Sequence, residues 1–208
     1  PDLSYVEAAA KGIAPYVRPG NIVILESTSP VGTTELVRDI LEQFGVDVTS
    51  IHCSYCPERV LPGRIMIELI ENDRVVGGLT SAASDITAVF YKTFVKGEVL
   101  TTDSRTAEMC KLVENSSRDL GIAFANELSI LCDGLGIDVN ELIRFANRHP
   151  RVNILQPGCG VGGHCIAVDP WFIVAKDPKN SNLIRTAREV NNYKNKWVIE
   201  KIKNVALK

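Results

Sequence analysis

The hydrophobic pattern changes character near residue 103. Before it, short continuous apolar runs such as NIVILE (21–26) and RVVGG (74–78) alternate with amphipathic stretches. β-branched runs of that length, bounded by Gly, Pro and Ser, read as strands. The pattern predicts a helix over 4–18, capped by Ser4 and stopped by Pro19-Gly20, and then a strand over 21–26 buried on both faces. A helix over 34–45 ending at Gly45, a strand over 48–54, a strand over 74–78, a helix over 82–95 and a short strand over 98–102 follow. Such alternation marks a parallel α/β sheet, whose ligands sit outside the carboxyl ends of its strands. The loops STSPVGTT (27–34) and YCPERVLPGR (55–64) are therefore where polar chemistry is expected. No Gly-x-Gly-x-x-Gly dinucleotide fingerprint precedes residue 22, so the fold expected here is the C-terminal half of a Rossmann-like parallel sheet.

From residue 104 the period is helical throughout. Residues 104–136 run without proline and predict one long central helix, so the whole reads as α/β, with a sheet domain over 1–102 and an all-helical domain over 103–208. Lys111, Asn115 and Arg118 fall at i, i+4 and i+7 and project from one face of that helix. A solvated polar stripe is the plainer reading of such a face. Asp138 caps a helix over 139–148, Pro170 is expected in the first turn of the next, and 182–208 forms a last long helix. Its apolar positions recur at helical spacing and could pack within the chain or against a second copy.

Between these helices lies PGCGVGGHCIAVDP (157–170), with Gly158, Gly160, Gly162 and Gly163 crowded together before His164 and Cys165. A glycine cluster marks a backbone that turns sharply or approaches something closely, and the cysteine after it is a candidate nucleophile. A flexible connection carrying an incidental thiol is the competing reading. His164 is adjacent to Cys165 and reads as structural, because cysteine–histidine catalytic pairs are spatial neighbours rather than sequential ones.

Composition narrows the classes. Of 208 residues, 45% are hydrophobic and 23% charged, and the formal net charge of −2 leaves no basic footprint for nucleic acid or an anionic membrane. No apolar run is long enough to span a bilayer and no leader is visible, so a cytoplasmic location is expected. Six cysteines without a signal peptide read as reduced thiols, with Cys110 and Cys132 as small core residues. Cys53 and Cys56 form a single Cys-x-x-Cys, and a second ligand couple at suitable spacing for zinc is not evident, so no metal is expected.

Taken together, ESTSPVGTT, CPERVLPGR, KLVEN with FANEL, HPRVNILQPG, GVGGHCIAVDPWF and AREVNNYK resemble the UDP-glucose/GDP-mannose dehydrogenase family over essentially the whole chain. Each motif is weak alone, and six in order are specific. The resemblance implies an NAD-dependent oxidoreductase of polysaccharide biosynthesis that takes a nucleotide-sugar C6 alcohol to a carboxylate. CPERV with HPRVN looks most like the branch acting on UDP-N-acetyl-D-mannosamine; UDP-glucose, UDP-N-acetylglucosamine and GDP-mannose are the alternatives, and a non-catalytic dimerisation module is the non-enzyme one. Under the resemblance, 1–102 is part of the NAD-binding domain and 103–208 the middle domain, a homodimer forms through the 182–206 helix, and the partner molecule is a UDP-sugar.

The resemblance also distributes roles. Cys165 is the nucleophile that holds the aldehyde as a thiohemiacetal and then as a thioester. Lys111 supplies positive charge to thiolate and oxyanion and exchanges a proton with the alcohol. Asn115 holds substrate or a catalytic water. Asp169 and Glu58 compete for the role of general base in thioester hydrolysis. Arg59, Val60, Arg118, His149, Arg151 and Gly162 match substrate contacts, the arginines suiting a diphosphate by their bidentate fork. Thr28 matches a contact near the nicotinamide of NAD. Position 168 is Val where some members carry a lysine, so no cofactor contact is expected there.

Overall fold

The computed structural model describes residues 2–61, 63–163 and 165–207. The chain divides into two compact units, Pro1–Lys111 and Leu112–Lys208.

The first unit is an α/β layer. In chain order it contains α1 (Ser4–Ile13), β1 (Ile22–Leu25), α2 (Thr33–Gln43), β2 (His52–Tyr55), α3 (Ile65–Glu71), β3 (Arg74–Gly78), α4 (Ser81–Tyr91) and β4 (Val99–Asp103). The helix α5 (Ser104–Leu135) starts here and continues unbroken into the second unit. The strands lie side by side in the order β1-β2-β3-β4. β1 and β2 run parallel with Ile22 opposite His52, and β3 and β4 run parallel with Arg74 opposite Val99. The central ladder, Ser54 opposite Gly78 and Tyr55 opposite Gly77, is antiparallel, which corrects the wholly parallel expectation. A parallel neighbour needs a crossover packed on the sheet face. Among the described residues the one helix between β2 and β3 is α3, and none of its residues is buried. The carboxyl ends of β1 and β2 therefore face one way and those of β3 and β4 the other.

Local chemistry explains several boundaries. Leu3, not Ser4, occupies the cap position of α1, and the Asp2 carboxylate accepts the Ser4 N–H at 2.9 Å. Pro15 turns the end of that helix into a single 3-10 turn. β2 starts at His52 rather than 48 because Asp47 captures the Thr49 N–H at 3.0 Å and its hydroxyl at 2.6 Å, making a turn. All four β1 residues are half-buried, since β1 pairs only with β2. Ala10, Ala14, Val37, Ile40, Leu41, Ile51 and Cys53 form one core beneath α1 and α2. Cys56, Val76, Tyr91 and Val95 form another beneath α4. Gly77 and Gly78 let neighbours press onto β3: a Cβ at Gly77 would lie 2.3 Å from the Asp103 carbonyl oxygen, and one at Gly78 would lie 2.4 Å from the Ser84 nitrogen.

The second unit is helical. The rest of α5 is joined by α6 (Val139–Ala146), α7 (Cys165–Lys176) and α8 (Asn182–Ala206). The Asp138 carboxylate accepts the Asn140 N–H at 2.9 Å and caps α6, as its sequence suggests. α7 begins at Cys165, five residues before the proline expected to open it. Pro170 lies inside the helix, where its fixed φ is compatible and it forfeits one backbone bond, to the Ile166 carbonyl. Leu112, Ala123, Ala125, Cys132, Ile143, Ile173, Val174 and Ala187 are buried apolar residues of this unit. The inward face of α8 is largely polar: Arg188, Asn191 and Lys194 are buried, while Leu183, Ile202 and Val205 are exposed.

Among the described residues, no helix is long and apolar enough to cross a membrane. Nor does any group of three or more His, Cys, Asp or Glu among them stand ready to hold a metal ion.

Candidate active site

The first unit contributes two strand-end loops. After β1, Thr28 is half-buried, and the buried Ser29 donates its hydroxyl to the Ser27 carbonyl at 2.9 Å. The loop ends at Gly32, whose φ of +99° suits glycine. The Glu108 carboxylate, fully buried on α5, then accepts the Gly32 N–H at 2.6 Å, the Thr34 N–H at 2.8 Å and the Thr34 hydroxyl at 2.7 Å. A carboxylate from another helix thus caps α2, where negative charge is favoured.

After β2, Cys56 and Pro57 are buried and the chain emerges at Glu58. The Glu58 side chain folds back to accept the Val60 N–H, and Lys111 Nζ donates to the Glu58 carbonyl at 2.8 Å. Arg59 is held from both ends. Its Nη1 donates to the Asp73 carbonyl at 3.3 Å, and its own carbonyl accepts Asn72 Nδ2 at 2.8 Å. Val60 is half-buried, and Pro62 of this loop lies outside the described residues. Burial pushes the Cys53 and Cys56 thiols up to about 11, at Cys56 against the opposing pull of the Tyr91 hydroxyl and Arg74. Neither is a nucleophile at neutral pH.

The second unit carries two exposed thiols, Cys159 and Cys165. Cys165 is the first residue of the 12-residue helix α7, where unsatisfied N–H groups favour negative charge. Asp169 follows one turn later and is 5% exposed. Asn115 Nδ2, from α5, donates to Asp169 Oδ2 at 2.5 Å. Arg118, one turn along α5 from Asn115, is exposed. The chain between α6 and the glycine-rich loop is clamped by Asn147, which donates to the Ile154 carbonyl at 3.0 Å and accepts its N–H at 2.7 Å. This leaves His149 and Arg151 on an exposed turn, where His149 Nδ1 accepts the Arg151 N–H at 3.3 Å. Gly162 is exposed with open space around its Cα, and Val168 is exposed. His164, read from sequence as structural, lies outside the described residues.

The structure thus joins Lys111 to the Glu58 backbone in one unit and Asn115 to Asp169 in the other. Sequence reasoning passed over four further residues. Asp119, Asn126, Arg188 and Asn191 form a fully buried polar cluster behind the glycine-rich loop. Their signal was the polar spacing 119/126 on α5 and 188/191 on α8, each pair on one helix face.

One unit thus carries a pair of strand-end loops and the other an exposed cysteine one turn from a held carboxylate, and the chain belongs to the UDP-glucose/GDP-mannose dehydrogenase family. Residues 1–95 match that family's NAD binding domain and residues 105–193 its central domain. More particularly, the chain is 60% identical to the UDP-N-acetyl-D-mannosamine dehydrogenase of Escherichia coli (strain K12), the match covering 98% of this chain and 50% of that protein. It is 56% identical to the NDP-N-acetyl-D-galactosaminuronic acid dehydrogenase of Ralstonia nicotianae, over 99% of this chain and 51% of that protein. The solved structure of the UDP-D-ManNAc dehydrogenase from Pyrococcus horikoshii superposes with a TM-score of 0.89 at 41% identity, covering 99% of this chain and 51% of the other. The chain spans about half the length of the curated relatives it matches.

Proposed function

We propose that this chain contributes to an NAD-dependent dehydrogenase that oxidises the C6 alcohol of UDP-N-acetyl-D-mannosamine to the uronate. The observation that carries the reading is the Asn115–Asp169 bond at 2.5 Å, one helical turn from the exposed Cys165. A four-electron oxidation has to retain its aldehyde between two oxidations. The Cys165 thiolate adds to that carbonyl carbon, the resulting thiohemiacetal is oxidised to a thioester, and water releases the carboxylate and restores the thiol. Asp169 is the better placed of the two candidate bases for that water. Asn115 fixes one of its oxygens, and it stands four residues from Cys165 on the same helix. The Glu58 carboxylate is instead folded onto the Val60 N–H. Lys111, whose Nζ reaches the Glu58 carbonyl, takes the role of balancing oxyanion charge.

NAD, when bound, supplies the two-electron oxidant for each of the two steps. Thr28, half-buried on the loop at the carboxyl end of β1, fits a contact with it. Arg59, Val60, Arg118, His149, Arg151 and Gly162 are assigned to the UDP-sugar; Arg118, His149, Arg151 and Gly162 are exposed. The first 102 residues serve the cofactor and, through Arg59 and Val60, the substrate, while 103–208 carry Cys165, the other substrate contacts and the dimer contact. Exposed Leu183, Ile202 and Val205 on α8 support pairing of that helix in a homodimer. A cytoplasmic location suits a nucleotide-sugar substrate.

The test is NADH formation by the full-length protein with UDP-N-acetyl-D-mannosamine, UDP-N-acetylgalactosamine, UDP-N-acetylglucosamine, UDP-glucose and GDP-mannose. Preference for the first, abolished by Cys165→Ser, is expected. Preference for UDP-glucose or GDP-mannose overturns the sugar assignment, and an active Cys165→Ser overturns the mechanism.

A further inference from the structure

The polar cluster of the second unit has a direction. Arg188 Nη1 and Asn191 Nδ2 both donate to Asp119 Oδ1, at 2.6 and 2.7 Å. Asn126 Nδ2 donates to Asn191 Oδ1 at 2.8 Å, and Asn126 Oδ1 accepts the Gly158 N–H at 2.9 Å. An amide can face either way, so its orientation follows from its partners. Here both ends of the chain are fixed. Asp119 Oδ1, which already accepts from Arg188, accepts again here, which turns the NH2 of Asn191 toward it and the oxygen toward Asn126. The Gly158 backbone N–H can only donate, which demands the oxygen of Asn126. Both ends impose the same order, and flipping either amide would set oxygen against oxygen or N–H against N–H. These groups are closed to bulk solvent, which cannot relieve such a clash: the four residues are at most 2% exposed.

A second contact meets the same loop from the other side. A Cβ at Gly160 would lie 2.0 Å from Asn195 Oδ1, so the backbone there presses directly on the Asn195 side chain of α8. Asn195 follows Asn191 by four residues, on the same helix face. Gly158 and Gly160 are thereby gripped by α5 and α8, just before the stretch that leads into Cys165. Glycine-rich backbone has the most conformational freedom to lose, so its register has to be imposed by such contacts.

We propose that Asn126, Asn191 and Asn195 are positioning residues that hold the glycine-rich loop in the one register that presents the Cys165 sulfur to its carbonyl. The proposal rests on Cys165 being the nucleophile. It assigns the cluster a part in the reaction beyond core stability, acting through the loop and without touching substrate.

The experiment uses the full-length protein and two buried variants, Asn191→Asp and Asn126→Asp. Either change sets oxygen against oxygen, a carboxylate at 191 against Asp119 and one at 126 against Asn191 Oδ1. The readouts are kcat, KM for the nucleotide sugar, and the rate at which iodoacetamide labels Cys165. Both variants are expected to lower kcat and labelling about tenfold with KM within about threefold. Asn195→Ala, at an exposed position, tests the Gly160 contact without disturbing the buried groups, and a lowered kcat with unchanged thermal midpoint is expected. Wild-type kcat and labelling in either folded buried variant or in Asn195→Ala overturns the proposal. If the buried variants do not fold, Asn195→Ala decides alone. An active Cys165→Ser would instead sink the nucleophile assignment, a separate failure visible in the same assay.

Discussion

Asn115 gives its side-chain amide to Asp169 across 2.5 Å, tying the long helix α5 to the first turn and a half of α7. Asp169 is nearly buried, so its carboxylate depends on bonds from the protein rather than from water. The exposed Cys165 stands one turn away on the same helix.

Removing the amide should slow the step that needs the carboxylate. Asn115→Ala in the full-length protein is expected to lower kcat by about 10–100-fold, less than the roughly 100–10,000-fold of losing an acid–base group outright, because the carboxylate remains and only its hold is lost. Mass spectrometry of protein quenched during turnover should then show an acyl adduct on Cys165, because thioester hydrolysis is slowed more than its formation.

The six thiols should separate by burial. Iodoacetamide at pH 8 is expected to label Cys159 and Cys165 and to spare Cys53, Cys56 and Cys132 until urea is added, as peptide mapping would reveal. Burial holds Cys53 and Cys56 near 11 against an ordinary 9.0, so above pH 9 the unfolded chain releases protons that the folded chain keeps. Their contribution to stability is complete below pH 9 and is lost as pH rises toward 11. The urea midpoint should fall accordingly between pH 8 and pH 10.5.

Glu108 satisfies three donors at once, two of them backbone N–H groups at the start of α2. Glu108→Ala strands those buried donors and should cost about 2–4 kcal/mol. Glu108→Gln keeps one acceptor oxygen and should cost less, about 1–2 kcal/mol. Urea denaturation of the two variants gives the comparison.

Two glycines should respond to alanine with opposite signs. At Gly77 a Cβ would strike the Asp103 carbonyl oxygen at 2.3 Å and the Ala107 Cβ at 2.6 Å, so Gly77→Ala is expected to destabilise by about 2 kcal/mol or more. At Gly12, inside α1, a Cβ meets nothing within 4 Å, and Gly12→Ala should stabilise by about 0.5–1 kcal/mol through helix propensity. Differential scanning calorimetry would resolve both.

Elements with a strong period were legible in the sequence, and those shaped by particular contacts were not. RVVGG gave β3 its bounds, and Asp138 marked the start of α6, because apolar runs and capping side chains are local signals. The antiparallel β2–β3 ladder was hidden, since strand direction depends on how the intervening chain packs, and α3 buries nothing. The start of α7 was misplaced because proline is commonest in a first turn, whereas here Cys165 takes that place and Pro170 is tolerated inside. On α8 the apolar period left packing within the chain or against a second copy open; Arg188, Asn191 and Lys194 lie inward, and Leu183 and Val205 outward. A polar core is invisible to a hydrophobic period, because its partners lie dozens of residues away, Asn191 pairing with Asp119 and Asn126.

Pro170 removes one rung from the start of α7. Without an N–H at 170, the Ile166 carbonyl loses its helical donor. The amides of this first part of the helix should exchange with deuterium sooner than those of Ile173 and Val174, which are buried further along. The nucleophile proposed above thus stands on the turn of its helix that has lost a rung, ahead of the buried turn that holds Ile173 and Val174.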